Sequence, residues 1–217
     1  SRLFAQNNFV FHEMYGASEV ATVSNLSPKD ARRSPNSVGL LCDGVDLKIM
    51  GRGHNECLTE QVGEICVASP LTFCGYLDLP ALTKSSFYGD YFRTGDLGFV
   101  DKNGFLFLKG RASDLIITGG TNVMPTDITS ALIGYEGVKE IEIVGQKDDY
   151  FGEVVVCVAV ATGDSNKAES DLRALAQENL ASFQRPVRYI FIEKMPLLDN
   201  GKLNKLALKD LVNDGAK

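Results

Sequence analysis

The sequence predicts an α+β protein in which a β-rich half precedes a small α+β unit, and three observations predict it. First, short apolar, β-rich runs at residues 45–49 and 64–67 alternate with glycine-rich polar turns around Gly51-Arg52-Gly53 and Gly63. Second, residues 98–108 hold two apolar runs flanking Asp101-Lys102-Asn103-Gly104, where Asn-Gly offers the positive φ values of a tight hairpin. Third, the pattern changes after Gly110. Pro125 opens a helical stretch to about residue 133, strands follow at 141–144 and 154–160, and a helix spans about 170–180.

In that second helix Leu172, Leu175, Ala176 and Asn179 recur at three- and four-residue spacings, as one buried face demands, with Arg173, Gln177 and Glu178 on the remainder. A strand at 188–192 and a short helix at about 205–212 complete the unit. The polar stretch Lys109-Gly110-Arg111-Ala112-Ser113-Asp114 reads as a linker, giving domains of residues 1–109 and 110–217. Gly51-Arg52-Gly53 reads as a turn and not a phosphate loop, because no helix follows it. The chain opens at Ser1 with Phe9-Val10-Phe11 running straight into Tyr15-Gly16-Ala17-Ser18-Glu19, which reads as a domain entered part-way.

Composition narrows the function. An apolar fraction of 44% over 217 residues is ample for a buried core. A net charge of −6 with no basic stripe argues against nucleic acid as a partner. Five cysteines without a CxxC suit reduced, structurally buried thiols in a cytoplasmic protein. His12 and His54 are the only histidines, so a zinc site or histidine-based triad has almost no raw material, and both read as ordinary surface or packing residues. No apolar run is long enough to span a bilayer and no signal-like h-region begins the chain, so integral membrane association and secretion are not expected.

Four segments set a charged residue beside glycine, where a side chain can reach a ligand with little obstruction: Tyr15-Gly16-Ala17-Ser18-Glu19, Tyr91-Phe92-Arg93-Thr94-Gly95-Asp96-Leu97, Gly110-Arg111-Ala112-Ser113-Asp114 and Pro196-Leu197-Leu198-Asp199-Asn200-Gly201-Lys202. Singly, each has a plain alternative: Asp96 a turn carboxylate, Arg111 a surface ion-pair partner, Lys202 a solvated loop cation. Together, in this order and spacing, they resemble the motifs of the adenylate-forming (AMP-binding) enzyme superfamily, in particular its acyl-CoA synthetases. The resemblance covers essentially the whole chain. It is reinforced by Gly63-Glu64-Ile65-Cys66-Val67 with Gly75-Tyr76 downstream, by Gly119-Gly120 before Pro125, and by Leu180-Ala181-Ser182-Phe183-Gln184-Arg185-Pro186.

The resemblance implies the β-rich C-terminal part of a large AMP-binding domain, followed by a small mobile C-terminal domain. It implies an acid:thiol ligase that forms an acyl-adenylate from a carboxylic acid and ATP, with Mg2+, and passes the acyl group to CoA. The substrate carboxylate, of pKa about 4, needs no general base at neutral pH, so the enzyme's task is to manage negative charge. By resemblance Tyr15 would stack on the adenine, Gly16 would belong to the same cofactor-binding segment, Ser18 would hydrogen-bond the α-phosphate, and Glu19 would help hold Mg2+. Asp96 would accept from both ribose hydroxyls, and Arg111 would donate to ribose or phosphate. Lys202 would act electrostatically at the α-phosphate; it is no P-loop lysine, because the GxxxxGK[ST] frame is absent. Gly119 and Gly120 would let the backbone approach the pantetheine arm, and Ser113 would be the hinge.

Three departures qualify the match. The family's Ser/Thr/Gly-rich phosphate loop occurs nowhere in these residues, so the fragment alone is expected to be inactive. Ser113 stands where relatives commonly carry Asp or Lys, and Met14 precedes Tyr15 near the expected acyl pocket. Two other readings stand beside the CoA ligase. One is an adenylation enzyme loading an amino or fatty acid onto a carrier protein, against which the chain's end about fifteen residues after Lys202 weighs. The other is a non-catalytic nucleotide-binding remnant, against which the joint presence of Glu19, Asp96, Arg111 and Lys202 weighs.

Overall fold

A computed structural model describes residues 11–51, 53 and 55–214. Phe9, Val10, Arg52 and His54 therefore lie outside the described residues. The chain divides into two compact units, Ser1–Ala112 and Ser113–Lys217.

In the first unit β1 (Glu13–Ala17), β2 (Ala21–Leu26) and β3 (Leu40–Leu41) form an antiparallel sheet in that order, with helix α1 (Pro28–Arg33) between β2 and β3. The helix starts where Ser27 accepts from the Asp30 N–H at 3.2 Å and Pro28 fills the first position, whose N–H would lack a helical partner anyway. A five-stranded sheet follows from β4 (Asp46–Met50), β5 (Gly63–Ala68), β6 (Phe87–Tyr88), β7 (Tyr91–Val100) and β8 (Leu106–Arg111), with α2 (Pro80–Ser85) ahead of β6. Its order is β4-β5-β7-β6, and β8 pairs with β7. Val23, Val38, Ile49, Ile65, Val67, Phe92 and Leu106 pack into one core with Tyr15 at its margin.

The hairpin expected at residues 98–108 forms, with a different turn. Val100 pairs with Leu106, and the Asp101 N–H donates to the Phe105 carbonyl at 3.0 Å, leaving three residues at the tip. The Asp101 carboxylate accepts the N–H groups of Asn103 and Phe105, both at 2.9 Å, so the aspartate builds the turn. Gly104 takes a positive φ (84°) and Asn103 does not, which is a three-residue loop in place of the two-residue Asn-Gly turn.

The second unit begins with a 3-10 turn (Ala112–Asp114 spans the division), so residues 109–111 of the expected linker belong to β8. Strands β9 (Ile116–Thr118), β10 (Thr121–Val123), β11 (Val138–Asp148), β12 (Gly152–Ala161) and β13 (Arg188–Phe191) make one sheet, ordered β10-β9-β12-β11 with β13 parallel to β12. Helices α3 (Pro125–Leu132), α4 (Ser165–Asn179) and α5 (Lys205–Asp214) cover it.

Strand β12 explains why residues 154–160 read as an unbroken apolar run. Val155, Cys157 and Ala159 pack against Ile128, Leu132, Leu172 and Ala176 of α3 and α4, while Val156, Val158 and Val160 pack against Leu208 and Val212 of α5. A strand buried on both faces has no polar alternate positions to display. The α4 face is shifted from the expectation: Ala168, Leu172 and Ala176 are buried, whereas Asn179 is exposed and donates back to the Leu175 carbonyl. The helix also starts five residues earlier, at Ser165, because Asp164 caps it through the Asn166 N–H at 2.9 Å.

All five cysteines are free thiols. Cys66 and Cys157 are buried, but Cys74 is exposed, which corrects the expectation of general burial. Burial pushes the Cys66 thiol up to about 11, with Glu64 adding, and the Cys157 thiol up to about 12. His12 is exposed and rests 3.3 Å from the Asn25 side-chain oxygen. Among the described residues no helix is long and apolar enough to cross a membrane.

Candidate functional site

The site in the first unit is made by a bulge in β7. Glu64 of β5 faces Leu97 and Cys66 faces Arg93, so the single residue Ile65 opposes three, Thr94, Gly95 and Asp96. The Thr94 hydroxyl stitches the bulge, donating to the Ile65 carbonyl at 2.8 Å and accepting the Asp96 N–H at 3.1 Å. Gly95 turns the chain with φ of 73°, a conformation that a side chain would resist. Threonine, glycine and aspartate are thus each required by the local geometry: one closes the loop, one bends it, and one is presented by it.

Asp96 gathers the other residues. Its Oδ2 accepts the Tyr15 hydroxyl at 2.7 Å, and its Oδ1 lies 2.9 Å from Nε of Arg111, its register partner on β8. Arg111 also donates through Nη1 to the Thr94 carbonyl at 2.8 Å. Each carboxylate oxygen keeps a second lone pair for a ligand hydroxyl. The Tyr15 ring is only 9% exposed, and its hydroxyl is held well above the ordinary tyrosine range, first by burial and then through Asp96, with Thr94 opposing. It therefore donates to Asp96 throughout the neutral range.

Glu19 and Ser18 lie in the three-residue turn between β1 and β2, closed by the Val20 N–H on the Ala17 carbonyl at 3.2 Å. Gly16 stands where the β1–β2 register shifts by one residue, Val23 of β2 being the extra one, and an added Cβ there would come within 2.1 Å of the Ala21 carbonyl oxygen. Ser18 is exposed, and Glu19 accepts the Tyr76 hydroxyl at 2.9 Å. A cleft of about 380 Å³ is walled by Glu19, Tyr76, Arg93, Thr94, Gly95 and Arg111. Met14 is 69% exposed.

Tyr15, Glu19, Asp96 and Arg111 are thus brought to one region of the first unit. Sequence reading missed two contributors. Tyr76 lies in the quoted Gly75-Tyr76 pair, and Arg93 within the quoted aspartate segment, where it forms a two-donor ion pair with Glu64 (3.1 and 2.8 Å). Arg93 stands opposite Cys66 and reaches Glu64 diagonally, two residues along β5, a contact that no local sequence signal marks.

Among the described residues no group of three or more His, Cys, Asp or Glu could cage a metal ion. The carboxylate of Glu19 on the cleft wall fits the lesser demand of Mg2+, which takes one or two protein carboxylates together with phosphate oxygens and water.

The remaining expected residues belong to the second unit. Gly119 and Gly120 form the two-residue turn between β9 and β10 with φ of 54° and 79°, and two successive positive φ values select glycine. Lys202 is exposed in a tight loop pinned by the Leu198 N–H on its carbonyl (2.7 Å), by its own N–H on the Asn200 side chain (3.0 Å), and by a Leu197–Leu203 bridge. Gly201 beside it takes φ of 78°. Ser113 sits in the 3-10 turn, its carbonyl accepting from Lys209 Nζ at 3.1 Å, and the adjoining Asp114 pairs with Lys205.

Comparison with known proteins bears on the family and the fold. Residues 1–77 match the family described as AMP-binding enzyme, and residues 127–202 match the AMP-binding enzyme C-terminal domain. The chain is 36% identical over 206 residues to a 2-succinylbenzoate–CoA ligase of Listeria monocytogenes, covering 94% of this chain and 42% of that protein. It is 33% identical over 204 residues to the fatty acid–[acyl-carrier-protein] ligase ScoC of Streptomyces coeruleorubidus, covering 92% and 39%. Among solved structures, the o-succinylbenzoate CoA synthetase of Bacillus subtilis with the acyl-adenylate OSB-AMP superposes with a TM-score of 0.86 at 29% identity, covering 96% of this chain and 43% of that one. The same synthetase with ATP and a magnesium ion gives 0.81 at 26% identity, covering 97% and 43%. The chain spans about two fifths of the length of these relatives.

Proposed function

Since the chain belongs to the AMP-binding enzyme family, we propose that the whole protein is an ATP-dependent ligase that joins a carboxylic acid to AMP and passes the acyl group to CoA. The observation that carries this reading is Asp96, thrust out by its bulge and held between Tyr15 and Arg111 beside a cleft that Glu19 helps to line. A carboxylate with a free lone pair on each oxygen suits a vicinal diol, so Asp96 is assigned the ribose hydroxyls. Arg111, half-exposed, is assigned the ribose or phosphate next to it.

Tyr15 and Gly16 are assigned the adenine, and Ser18 the α-phosphate. Tyr15 is largely buried, so only a small part of its side chain would be available for that contact. Glu19 would hold Mg2+, which when bound neutralises charge on the triphosphate and so eases departure of pyrophosphate. Lys202, on its pinned loop, is assigned the charge that concentrates at the α-phosphate and the attacking carboxylate. Gly119 and Gly120 are assigned the thiol half-reaction, and Ser113 the pivot between the two states.

Acid-dependent ATP–pyrophosphate exchange by the whole protein, screened across short, medium, long and aromatic acids, tests the proposal. Exchange with at least one class is the expected result; none with any class, and no binding of AMP, rejects it. Similarity to an acyl-carrier-protein ligase favours a second acceptor, a carrier-protein phosphopantetheine. Supplying the acyl-adenylate with CoA or with a loaded carrier in separate reactions distinguishes the two.

A further inference from the structure

Glu19 is gripped at both ends by one short segment. The Phe73 N–H donates to its backbone carbonyl at 2.7 Å and the Tyr76 hydroxyl to its carboxylate Oε1 at 2.9 Å. The Ser69 hydroxyl adds a longer bond, 3.4 Å, to the carbonyl of Val20 next in the turn. The segment is itself fixed. The Tyr76 N–H donates to the Thr83 hydroxyl at 2.9 Å, and the Phe73 ring packs on edge against Tyr76 (4.8 Å between centroids) and Phe92 (5.4 Å) and stacks on Phe87 (5.9 Å).

Resting on the ligase reading above, we infer that Tyr76 is a positioning residue: its hydroxyl fixes the orientation of the Glu19 carboxylate by holding Oε1, which leaves Oε2 to face a magnesium-bound nucleotide. A glutamate in a surface turn otherwise samples several rotamers, each aiming its oxygens differently. Mg2+ tolerates little departure from octahedral geometry, so a carboxylate set in advance binds it with less reorganisation. Loss of a group that orients a metal ligand from behind typically costs about 10–100-fold in metal affinity. Tyr76 would not touch the ion; it acts through Glu19, and the Ser86 side chain also interacts with its hydroxyl. Its distance of 57 residues from Glu19 in the chain means that only the folded first unit creates the pair.

The test is Tyr76→Phe in the whole protein, which removes one oxygen and keeps the ring against Phe73. Binding of Mn2+–ATP is read by the electron paramagnetic resonance of Mn2+, and binding of AMP in EDTA by calorimetry. Mn2+–ATP affinity should fall roughly tenfold or more while AMP affinity and the melting temperature stay unchanged. In a Glu19→Gln background the same substitution should add nothing, because no carboxylate remains to be oriented. Unchanged Mn2+–ATP affinity, an equal loss of AMP binding, or failure of the phenylalanine variant to fold would each overturn the inference, the last two by making the hydroxyl structural. If the unaltered protein binds neither Mn2+–ATP nor AMP, the ligase reading fails and takes this inference with it. If it binds both and the variant matches it, only the role of Tyr76 is lost.

Discussion

Asp96 and Arg111 face each other in register on β7 and β8, their side chains 2.9 Å apart, yet they differ sharply in burial: the aspartate side chain is 16% exposed and the arginine 56%. That difference separates their contributions. Asp96→Ala strands the buried Tyr15 hydroxyl without its acceptor and should lower stability by about 1–3 kcal/mol. Arg111→Ala removes a solvent-screened pair and should change stability by less than about 1 kcal/mol. Both should weaken AMP binding about tenfold or more. Melting curves beside AMP titrations check the split; equal destabilisation by both variants would contradict it.

Lys202→Ala should reduce formation of the acyl-adenylate by roughly a hundred- to thousandfold, the usual consequence of losing one well-placed charge partner at a reacting centre. Transfer from a supplied acyl-adenylate to CoA should be little changed. Measuring the two half-reactions separately decides the matter, and equal loss in both rejects the assignment. Because the Lys202 loop is held by backbone bonds and by Asn200, the alanine variant should fold normally.

Ser113→Pro addresses the pivot. Proline fixes φ near −65° and disfavours helical backbone at the residue before it, here Ala112 in the 3-10 turn. The whole protein should then keep near-normal adenylation but lose most thioester formation. Wild-type rates of acyl-CoA synthesis in this variant would move the pivot elsewhere.

Alkaline pH should unfold the second unit through Cys157. The thiol is fully buried on the central strand and its folded pKa is pushed up to about 12, above the unfolded value near 9. As pH rises past about 9 the unfolded chain loses this proton and the folded one keeps it, so stability is intact below that pH and falls above it. The slope is about 1.4 kcal/mol per pH unit for one such group, until pH reaches the folded pKa. Cys66, pushed up to about 11, adds the same effect in the first unit. Urea unfolding at pH 8 to 11 should show the decline, and Cys157→Ala, though less stable at pH 8 because of the cavity it leaves, should decline less steeply.

What the sequence disclosed follows from how local each signal is. The apolar run of β12 and the Leu172 and Ala176 positions of the α4 face were readable because their periodicity lies within a dozen residues, whereas Ala168 lay outside the expected span and Asn179 was wrongly included. The start of α4 was misplaced because its first turn, Ser165-Asn166-Lys167, is polar and only the Asp164 cap marks it. Helices α1 and α2, six residues each, are too short to show a period, although Ser27-Pro28 was an available start signal for the first. In the candidate site, the ordered motifs singled out Asp96, Arg111 and Glu19, which the fold brings to one region. Tyr76 and Arg93 gained their places from partners 57 and 29 residues away, and no local pattern encodes such pairs.

The bulge that presents Asp96 sets three residues against one, which inserts an even number of extra residues into β7. Alternation along a strand has a period of two, so an even insertion leaves every later side chain on its original face. Arg93 and Leu97, on either side of it, accordingly face Cys66 and Glu64, two residues apart on β5. A one-residue change would need a further local kink of the backbone to keep the residues from Leu97 onward on their faces. Removal of Thr94 or Gly95 alone should therefore harm the sheet more than removal of the pair. A ligand-facing aspartate is thus raised out of the sheet while the β7 residues on either side of it keep their faces toward β5.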